Sequence, residues 1–216
     1  MTSQDRGSIA RALALSALAG YVDAIGFLSF GNFFVSFMSG NSTRLGIRIA
    51  SGELWYALLT CGVIALFVLG VVLGTLFGAR FKHRRPAVLL LVAGLLLAAS
   101  GFHTFGFGRL GIAAMLLAMG AENSVFQREG EISIGLTYMT GTLVKLGQRL
   151  ASIAQGDKET TWLPYLLLWV GLVTGATLGA TAHSFFAAKG LWFGAAAAVL
   201  LAYASASTQP GEPAES

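Results

Sequence analysis

Six long apolar segments constrain this chain more than any other feature of its sequence. They lie at about 8–29, 54–79, 86–107, 109–127, 161–182 and 189–206. An α-helix needs ~20 mostly apolar residues to cross ~30 Å of hydrocarbon, and each segment approaches that length. The connections between them are too short to form a soluble domain. The sequence therefore predicts an all-α membrane protein with about six transmembrane helices, surrounded by the lipid bilayer.

The charge content agrees with this class. Only 11% of the 216 residues are charged, whereas ordinary soluble proteins carry roughly 25%. The net charge of +4 comes from basic residues at the ends of the apolar segments, without an aromatic-interleaved patch. This distribution is typical of the positive-inside rule and predicts no nucleic-acid partner. The first segment is interpreted as a retained helix and not a cleaved signal peptide, because a similar segment recurs in mid-chain.

The sequence contains an internal repeat. A shift of 101 carries Ser36–Asn41 onto Thr137–Thr142, and Arg44 onto Lys145. The same shift carries the glycines Gly70, Gly74 and Gly78 onto Gly171, Gly175 and Gly179. A shift of 100 carries Gly20 onto Gly120 and Asp23 onto Asn123. The sequence thus predicts two three-helix repeats, 1–107 and 108–206, followed by a disordered cytoplasmic tail at 207–216.

Three spans per repeat imply opposite orientations of the two copies, because an odd number of crossings reverses the chain. The basic residues agree with this inversion. Four of them follow the second span, at Arg80, Lys82, Arg84 and Arg85, whereas Lys189 alone follows the fifth. Positive loops face the cytoplasm. We therefore expect a multi-pass protein of the bacterial inner membrane with both termini in the cytoplasm.

Two further stretches, 32–50 and 133–151, are apolar but carry basic residues. They are too charged for lipid-exposed spans and favour short broken or re-entrant helices buried against protein, although spanning helices remain an alternative. Each contains a Met-Ser/Thr-Gly motif one turn before a basic residue: Met38–Arg44 and Met139–Lys145. Half-helix ends bind ions, and matched interrupted segments mark the site in inverted-repeat transporters. The alternative is a glycine turn at a capped helix start.

Ionisable residues inside the apolar segments form the third signal. Asp23 lies within the first segment, and Glu122 and Asn123 lie at its repeat equivalent. A mid-bilayer charge costs ~2.5–3.5 kcal/mol on insertion scales, so it usually faces a partner or a cavity. Asp23 is either one half of a structural pair, for example with Arg128 or Lys145, or part of a solute or proton site. The candidate substrate or ion site comprises Asp23, Ser39, Asn41, Arg44, Glu122, Asn123, Thr140, Thr142 and Lys145.

Other chemistry is not indicated. The two glycine ridges are typical of helix packing, because small residues let helices approach closely. No nucleophile is paired with a base, and no glycine-rich loop is typical of phosphate binding. His83, His103 and His183 lack metal-ligand spacing. We therefore expect no enzymatic activity, no metal and no cofactor.

The sequence resembles the YoaK-like family of bacterial integral membrane proteins, a domain of unknown function. The resemblance is carried by Gly20–Phe27, Phe37–Gly46 and Tyr138–Leu143 and covers nearly the whole chain. Glu122 stands where the family usually has Gln. The resemblance implies a six-helix plasma-membrane protein and supplies no substrate. A weaker likeness, at Gly74–Arg80 and the basic residues after it, is to the major facilitator superfamily.

These observations favour a small transporter or permease for a small polar or anionic solute. Its path would follow the repeat interface, lined by the two Met-Ser/Thr-Gly motifs. Asp23 and Glu122 would be proton or cation sites, and Arg44 and Lys145 anion contacts. A homodimer is a candidate assembly. The alternative is a non-transporting membrane scaffold or accessory subunit.

Overall fold

The computed structural model describes residues 3–125, 127–128, 131–132, 139–157 and 161–207, and almost all of them are helical. The helices are α1 Ser3–Ser29, α2 Met38–Ala50, α3 Leu54–Gly78, α4 Arg84–Thr104, α5 Gly108–Glu122, α6 Met139–Ala154, α7 Leu163–Phe186 and α8 Leu191–Ser207. A short 3₁₀ turn, Ala187–Gly190, joins α7 to α8. Strands β1 Gln127–Arg128 and β2 Glu131–Ile132 form a two-residue antiparallel pair. The chain is thus an all-α protein, as the sequence predicts.

Four stretches are long and apolar enough to cross a membrane: Ile9–Ser29, Leu54–Gly78, Arg84–Thr104 and Leu163–Ser207. The last stretch has 45 residues and contains both α7 and α8. The predicted span at 109–127 corresponds to α5, which ends at Glu122 after 15 residues. At 1.5 Å per residue, α5 is about 22 Å long, less than the ~30 Å hydrocarbon thickness. The predicted count of six is therefore not reached by length alone.

The closest helix packing joins α1 to α7 and α3 to α5, and the partners in each pair run in the same direction. Along α7, Gly171, Gly175 and Gly179 face Leu13, Ala17 and Tyr21 of α1 in turn. Along α3, Gly70 faces Leu117 of α5, and Gly74 faces Ala121. A Cβ atom on any of these glycines would overlap the facing residue. The glycine ridges therefore pack helices, as the sequence predicts.

The contacts also give the correspondence between the two ridges. Gly20 of α1 meets Leu172 and Ala176, and Gly120 of α5 meets Phe67 and Val71. A shift of 105 carries 67 onto 172 and 71 onto 176, and it likewise carries Gly70 and Gly74 onto Gly175 and Gly179. This shift differs by four residues, about one helical turn, from the shift of 101 by which the glycines match in the sequence. Gly78, which the smaller shift matches with Gly179, instead packs against Arg84 and Val88.

Helix α4 packs against both α5 and α8. Helix α4 forms an antiparallel hairpin with α5, in which Gly111 packs against Ala99, and it also packs along α8. Where α8 begins, Gly190 and Gly194 lie close to Ile25 and Val22 near the end of α1, so α8 runs opposite to α1. The fully buried side chains include Leu89 and Leu96 of α4, Met115 and Met119 of α5, and Leu191 of α8.

These contacts fix the direction of every long helix relative to the others. The ends of α1, α4 and α7 lie at one face of the bundle, where α5 and α8 begin. The ends of α3, α5 and α8 lie at the opposite face. Helices α2 and α6 are short and pack mainly on α3 and α7, respectively. The predicted stretches 32–50 and 133–151 thus contain short helices at 38–50 and 139–151, and residues 133–138 lie outside the described part.

Candidate functional site

After α1 the chain turns back along the helix that it has just left. Gly31 and Asn32 make the turn with positive φ angles of 64° and 67°. Four residues further on, Val35 packs against Gly26, about one helical turn below the end of α1. Residues 30–37 therefore descend beside α1 and have no regular secondary structure of their own. We call this stretch the descending segment.

Asp23 satisfies the backbone of the descending segment. Its Oδ1 accepts hydrogen bonds from the backbone N–H groups of Val35 (2.7 Å) and Ser36 (2.9 Å). The Ser36 hydroxyl also hydrogen-bonds to this carboxyl group. Irregular backbone inside a membrane protein needs such partners, because lipid offers none. Among the described residues Asp23 forms no ion pair. Lys145 therefore does not pair with it, and the Arg128 side chain lies outside the described part.

Asn41 holds the same segment from the opposite end. Its Oδ1 accepts from the Phe34 N–H at 3.2 Å, and its Nδ2 donates to the Phe34 carbonyl at 2.7 Å. The Asn41 side chain is fully buried. Together Asp23 and Asn41 bond three consecutive residues, Phe34 to Ser36. Both were predicted as site residues, and in the structure both position the backbone.

Arg44 closes the turn above this segment. Its guanidinium donates to the Asn32 carbonyl and lies over the rings of Phe27, Phe33 and Phe34, 5.4–5.9 Å from their centroids. These contacts are cation–π interactions. The predicted anion contact is thus already occupied by backbone and aromatic groups.

The two Met-Ser/Thr-Gly motifs meet at one cavity. Helix α2 begins at Met38, beside Phe67. Phe67 lies 13 residues after Leu54, about 20 Å along α3 and near its midpoint. Helix α6 begins at Met139, and the cavity of about 150 Å³ is lined by residues from both starts. The lining residues are Ser36, Phe37, Met38, Ser39, Phe67, Met139 and Thr140.

The directions of α2 and α6 place their N-termini nearly opposite each other across the cavity. From the cavity, α2 runs to the face of the bundle where α1 ends. Helix α3 begins at that face, and only three residues connect α2 to it. From the same cavity, α6 leads to the opposite face, where α7 begins. The chain thus leaves the face where α1 ends and returns to the same face at the end of α2. Two helix N-termini, each carrying roughly half a positive charge, face one small space.

The remaining predicted residues of the second half lie apart from this cavity. Asn123 is buried and donates to the Met119 carbonyl of its own helix at 2.8 Å. Thr142 is half-buried one turn into α6. Lys145 is exposed another turn on. Of the predicted residues, Ser39 and Thr140 line the cavity.

Glu122 is enclosed at the end of α5. Its exposed fraction is 0%, and neither carboxyl oxygen has a hydrogen-bond partner among the described residues. Its counterpart under the shift of 100 is Val22, which is equally buried. A buried carboxyl group without a partner is costly, and far more so when ionised. Glu122 is not among the residues that line the cavity. It also takes no part in the hydrogen bonds between Asp23 and the descending segment.

Two residues at the centre of this arrangement have weak sequence signals. Ser36 joins the Asp23 carboxyl to the cavity wall, yet it precedes the motif by two residues. Phe67 lies in a long apolar run, one turn before Gly70. Its position next to the ridge glycine was the only signal that could have indicated it.

Comparison with known proteins agrees with the membrane fold. The family model described as "Protein of unknown function (DUF1275)" matches residues 11–204. The UPF0700 transmembrane protein RA0705 of Rhizobium meliloti (strain 1021) is 40% identical over 203 residues, 93% of this chain and 88% of the relative. The UPF0700 transmembrane protein YoaK of Bacillus subtilis (strain 168) is 29% identical over 143 residues, 61% of this chain and 62% of the relative.

No solved structure matches the chain. Because the family model covers most of the sequence, from α1 to α8, and a relative is similar over nearly its full length, the chain is a multi-pass membrane protein that belongs to the DUF1275 family.

Proposed function

We propose that this protein is a small permease for a polar or anionic solute and that the solute passes the cavity between α2 and α6. The observation that carries the proposal is the meeting of Met38 and Ser39 with Met139 and Thr140. Two half-helix N-termini there favour an anion or a neutral polar molecule and disfavour a cation. No acidic side chain is among the described lining residues. Small hydroxyl groups offer hydrogen bonds without a fixed charge.

The proposed architecture is a pair of inverted three-helix repeats. It is supported by the helix directions, since α1, α3 and α4 run opposite to α5, α7 and α8, respectively. The glycine contacts support it too. A shift of 100 carries Gly20 onto Gly120, and a shift of 105 carries the residues that Gly120 contacts, Phe67 and Val71, onto those that Gly20 contacts. The shift of 105 also aligns Ala93–Ser100 (AGLLLAAS) with Ala198–Ser205 (AVLLAYAS). Solute sites of inverted-repeat transporters lie near the bilayer midplane at the repeat interface.

The proposed orientation follows from the basic residues between α3 and α4. Arg80, Lys82, Arg84 and Arg85 put this face of the bundle in the cytoplasm by the positive-inside rule. Six crossings, with α5 tilted little and the bilayer adapting to its short length, then leave both termini cytoplasmic. The proposed location is the bacterial inner membrane.

Flux through the purified protein tests the proposal. We would reconstitute it in liposomes that contain an anion-sensitive dye, impose gradients of chloride, nitrate or formate, and follow neutral solutes such as urea by light scattering. Ser39→Trp and Thr140→Trp are expected to block the flux. Thr43→Trp, an exposed position one turn further along α2, is the matched control and should leave it unchanged.

The alternative is a scaffold or accessory subunit. It is favoured by the use of Asp23, Asn41 and Arg44 in holding the descending segment, since none of these side chains then needs a solute. It predicts that no solute enters faster than into protein-free liposomes. Flux that persists in both cavity variants would instead put the pathway elsewhere in the bundle.

A further inference from the structure

A second open space lies between α1 and α7, away from the cavity where α2 and α6 meet. It is a groove of about 490 Å³, within the range of roughly 300–1,000 Å³ that is typical of small-molecule sites. Apolar side chains, among them Phe27, Phe34 and Val173, form most of its wall. The groove opens toward the side of the bundle, where Val173 and Thr177 are exposed.

Asp23 provides the charge of this groove. It lines the wall together with Thr177, whose hydroxyl donates to the Val173 carbonyl at 2.9 Å and so can still accept a hydrogen bond. No basic side chain pairs with Asp23 in the described part of the chain. An amide at position 23 would accept the same two bonds from Val35 and Ser36 without a charge. A carboxylate in apolar surroundings is costly unless a cation reaches it.

The corresponding positions of the α3–α5 pair carry neither a carboxylate nor a hydroxyl. There the shift of 100 replaces Asp23 by Asn123, and the shift of 105 replaces Thr177 by Val72. Asn123 is buried and bonds within its own helix. Helix packing is alike in the α1–α7 and α3–α5 pairs, whereas the carboxylate and the hydroxyl occur at these positions in the α1–α7 pair alone. The carboxylate and the hydroxyl therefore serve something other than the packing of the helices.

Arg44 limits where a positive ligand can lie. Its guanidinium carbon is 5.6 Å from the centroid of the Phe27 ring and 5.4 Å from that of Phe34, and both rings line the groove. The guanidinium also donates to the Asn32 carbonyl, so it is fixed in place. Repulsion keeps a second cation on the Asp23 side of these rings.

We propose that the groove between α1 and α7 binds a lipophilic monovalent cation, such as a quaternary ammonium or phosphonium compound. The charged centre lies at the Asp23 carboxylate, and the apolar substituents pack along Phe27, Phe34 and Val173. The ligand enters from the side of the bundle. This site is separate from the cavity at Met38 and Met139 and does not depend on permeation through that cavity.

Equilibrium dialysis of the full-length protein in dodecyl maltoside tests the site, with tetraphenylphosphonium as the probe. We expect saturable binding that weakens at least about tenfold in Asp23→Asn, because the charge is lost while the acceptor oxygen for Val35 and Ser36 remains. Ala180→Phe fills the groove without changing its charge and should abolish binding. Glu53→Gln removes a carboxylate outside the groove and should bind as the unmodified protein does.

Tetraphenylborate has a similar shape and the opposite charge, so it should not compete for the site. Melting temperatures of all variants are measured in parallel, so that a misfolded variant is recognised and replaced by Thr177→Val or Ala176→Phe. Equal binding of the phosphonium by the unmodified protein and Asp23→Asn would overturn the proposal. Equal binding by a folded groove-filling variant would overturn it as well, since the probe would then only partition into the micelle.

Discussion

The carboxylate of Asp23 and the backbone N–H of Val35 are joined by a hydrogen bond of 2.7 Å. The acceptor belongs to a regular helix, and the donor belongs to the irregular segment that descends beside it. A side chain of α1 thus replaces the partner that a helix or sheet would have given to this backbone. The bond makes the start of α2 depend on a residue fifteen positions earlier.

Removal of the Asp23 side chain should therefore destabilise the fold. We expect Asp23→Ala to lower the free energy of unfolding by about 1–3 kcal/mol, because two backbone N–H groups lose their acceptor. Asp23→Asn should cost much less, since its carbonyl oxygen can still accept. Thermal unfolding in detergent, followed by far-UV circular dichroism, checks both variants. Equal stability of Asp23→Ala and the parent would contradict the role given to this carboxylate.

Asn41 should show a similar dependence. Asn41→Ala leaves both the N–H and the carbonyl of Phe34 without their partner in a fully buried place. We expect a loss of about 2–3 kcal/mol. Ser42→Ala is the matched control, because Ser42 is exposed and its hydroxyl bonds only to the Met38 carbonyl of the same helix. If the two variants unfold at the same temperature, the two hydrogen bonds between Asn41 and Phe34 contribute nothing measurable to stability.

The close approach of α1 and α7 predicts a large effect of a single methyl group. A Cβ on Gly175 would overlap the Ala17 carbonyl, so Gly175→Ala must force the helices apart and should cost about 1–3 kcal/mol. Gly62 also lies inside a helix, but nothing is within 4 Å of its added Cβ. Gly62→Ala should be neutral or stabilising by up to about 1 kcal/mol. Unfolding by a denaturing detergent compares the two.

Glu122 offers a prediction of the opposite sign. Its enclosed carboxyl group has no partner among the described residues, so Glu122→Met should raise stability by about 1 kcal/mol or more. Val22→Met, at the corresponding position of α1, is the control for the change in volume. A loss of stability in Glu122→Met alone would mean that the carboxyl group has a partner after all.

Inverted orientation of the halves can be tested by labelling. Ser51 and Gln155 follow α2 and α6, respectively, and both are exposed. In a Cys61→Ser background, Ser51→Cys should react with an impermeant thiol reagent from outside intact cells. Gln155→Cys should react only after the membrane is opened. Labelling of both from one side would exclude the inverted arrangement.

The sequence predicted the all-α membrane class of fold because that class depends on pattern, whereas the repeat stays a prediction. Apolar length predicts helices, and the recurrence of Gly40 and Gly141 in matched motifs predicts two related halves. The glycine ridges can be aligned by a shift of 101, which matches three glycines, or by a shift of 105, which matches two. Only the contacts of Gly70 with Leu117, and of Gly175 with Ala17, resolve this ambiguity.

For the site, sequence reasoning selected residues that are close together, but it did not predict the backbone partners that they have. Asp23, Asn41 and Arg44 were expected to meet a solute or a charged side chain. They bond to Val35, Phe34 and Asn32, respectively, through backbone atoms. Backbone groups that need a partner leave no mark in the sequence, because every residue except proline carries them.

The packing of α1 on α7 and of α3 on α5 has a consequence for how the chain is made. Helix α1 leaves the ribosome before α7, the helix that packs on it, which is made after more than 130 further residues. Until then the face of α1 at Gly20 has no partner from its own half. A ribosome stalled before residue 161 would therefore hold α1 without α7, the helix against which it packs. We therefore expect that neither half folds alone, and that two separately expressed halves reach the folded state only when they are produced together.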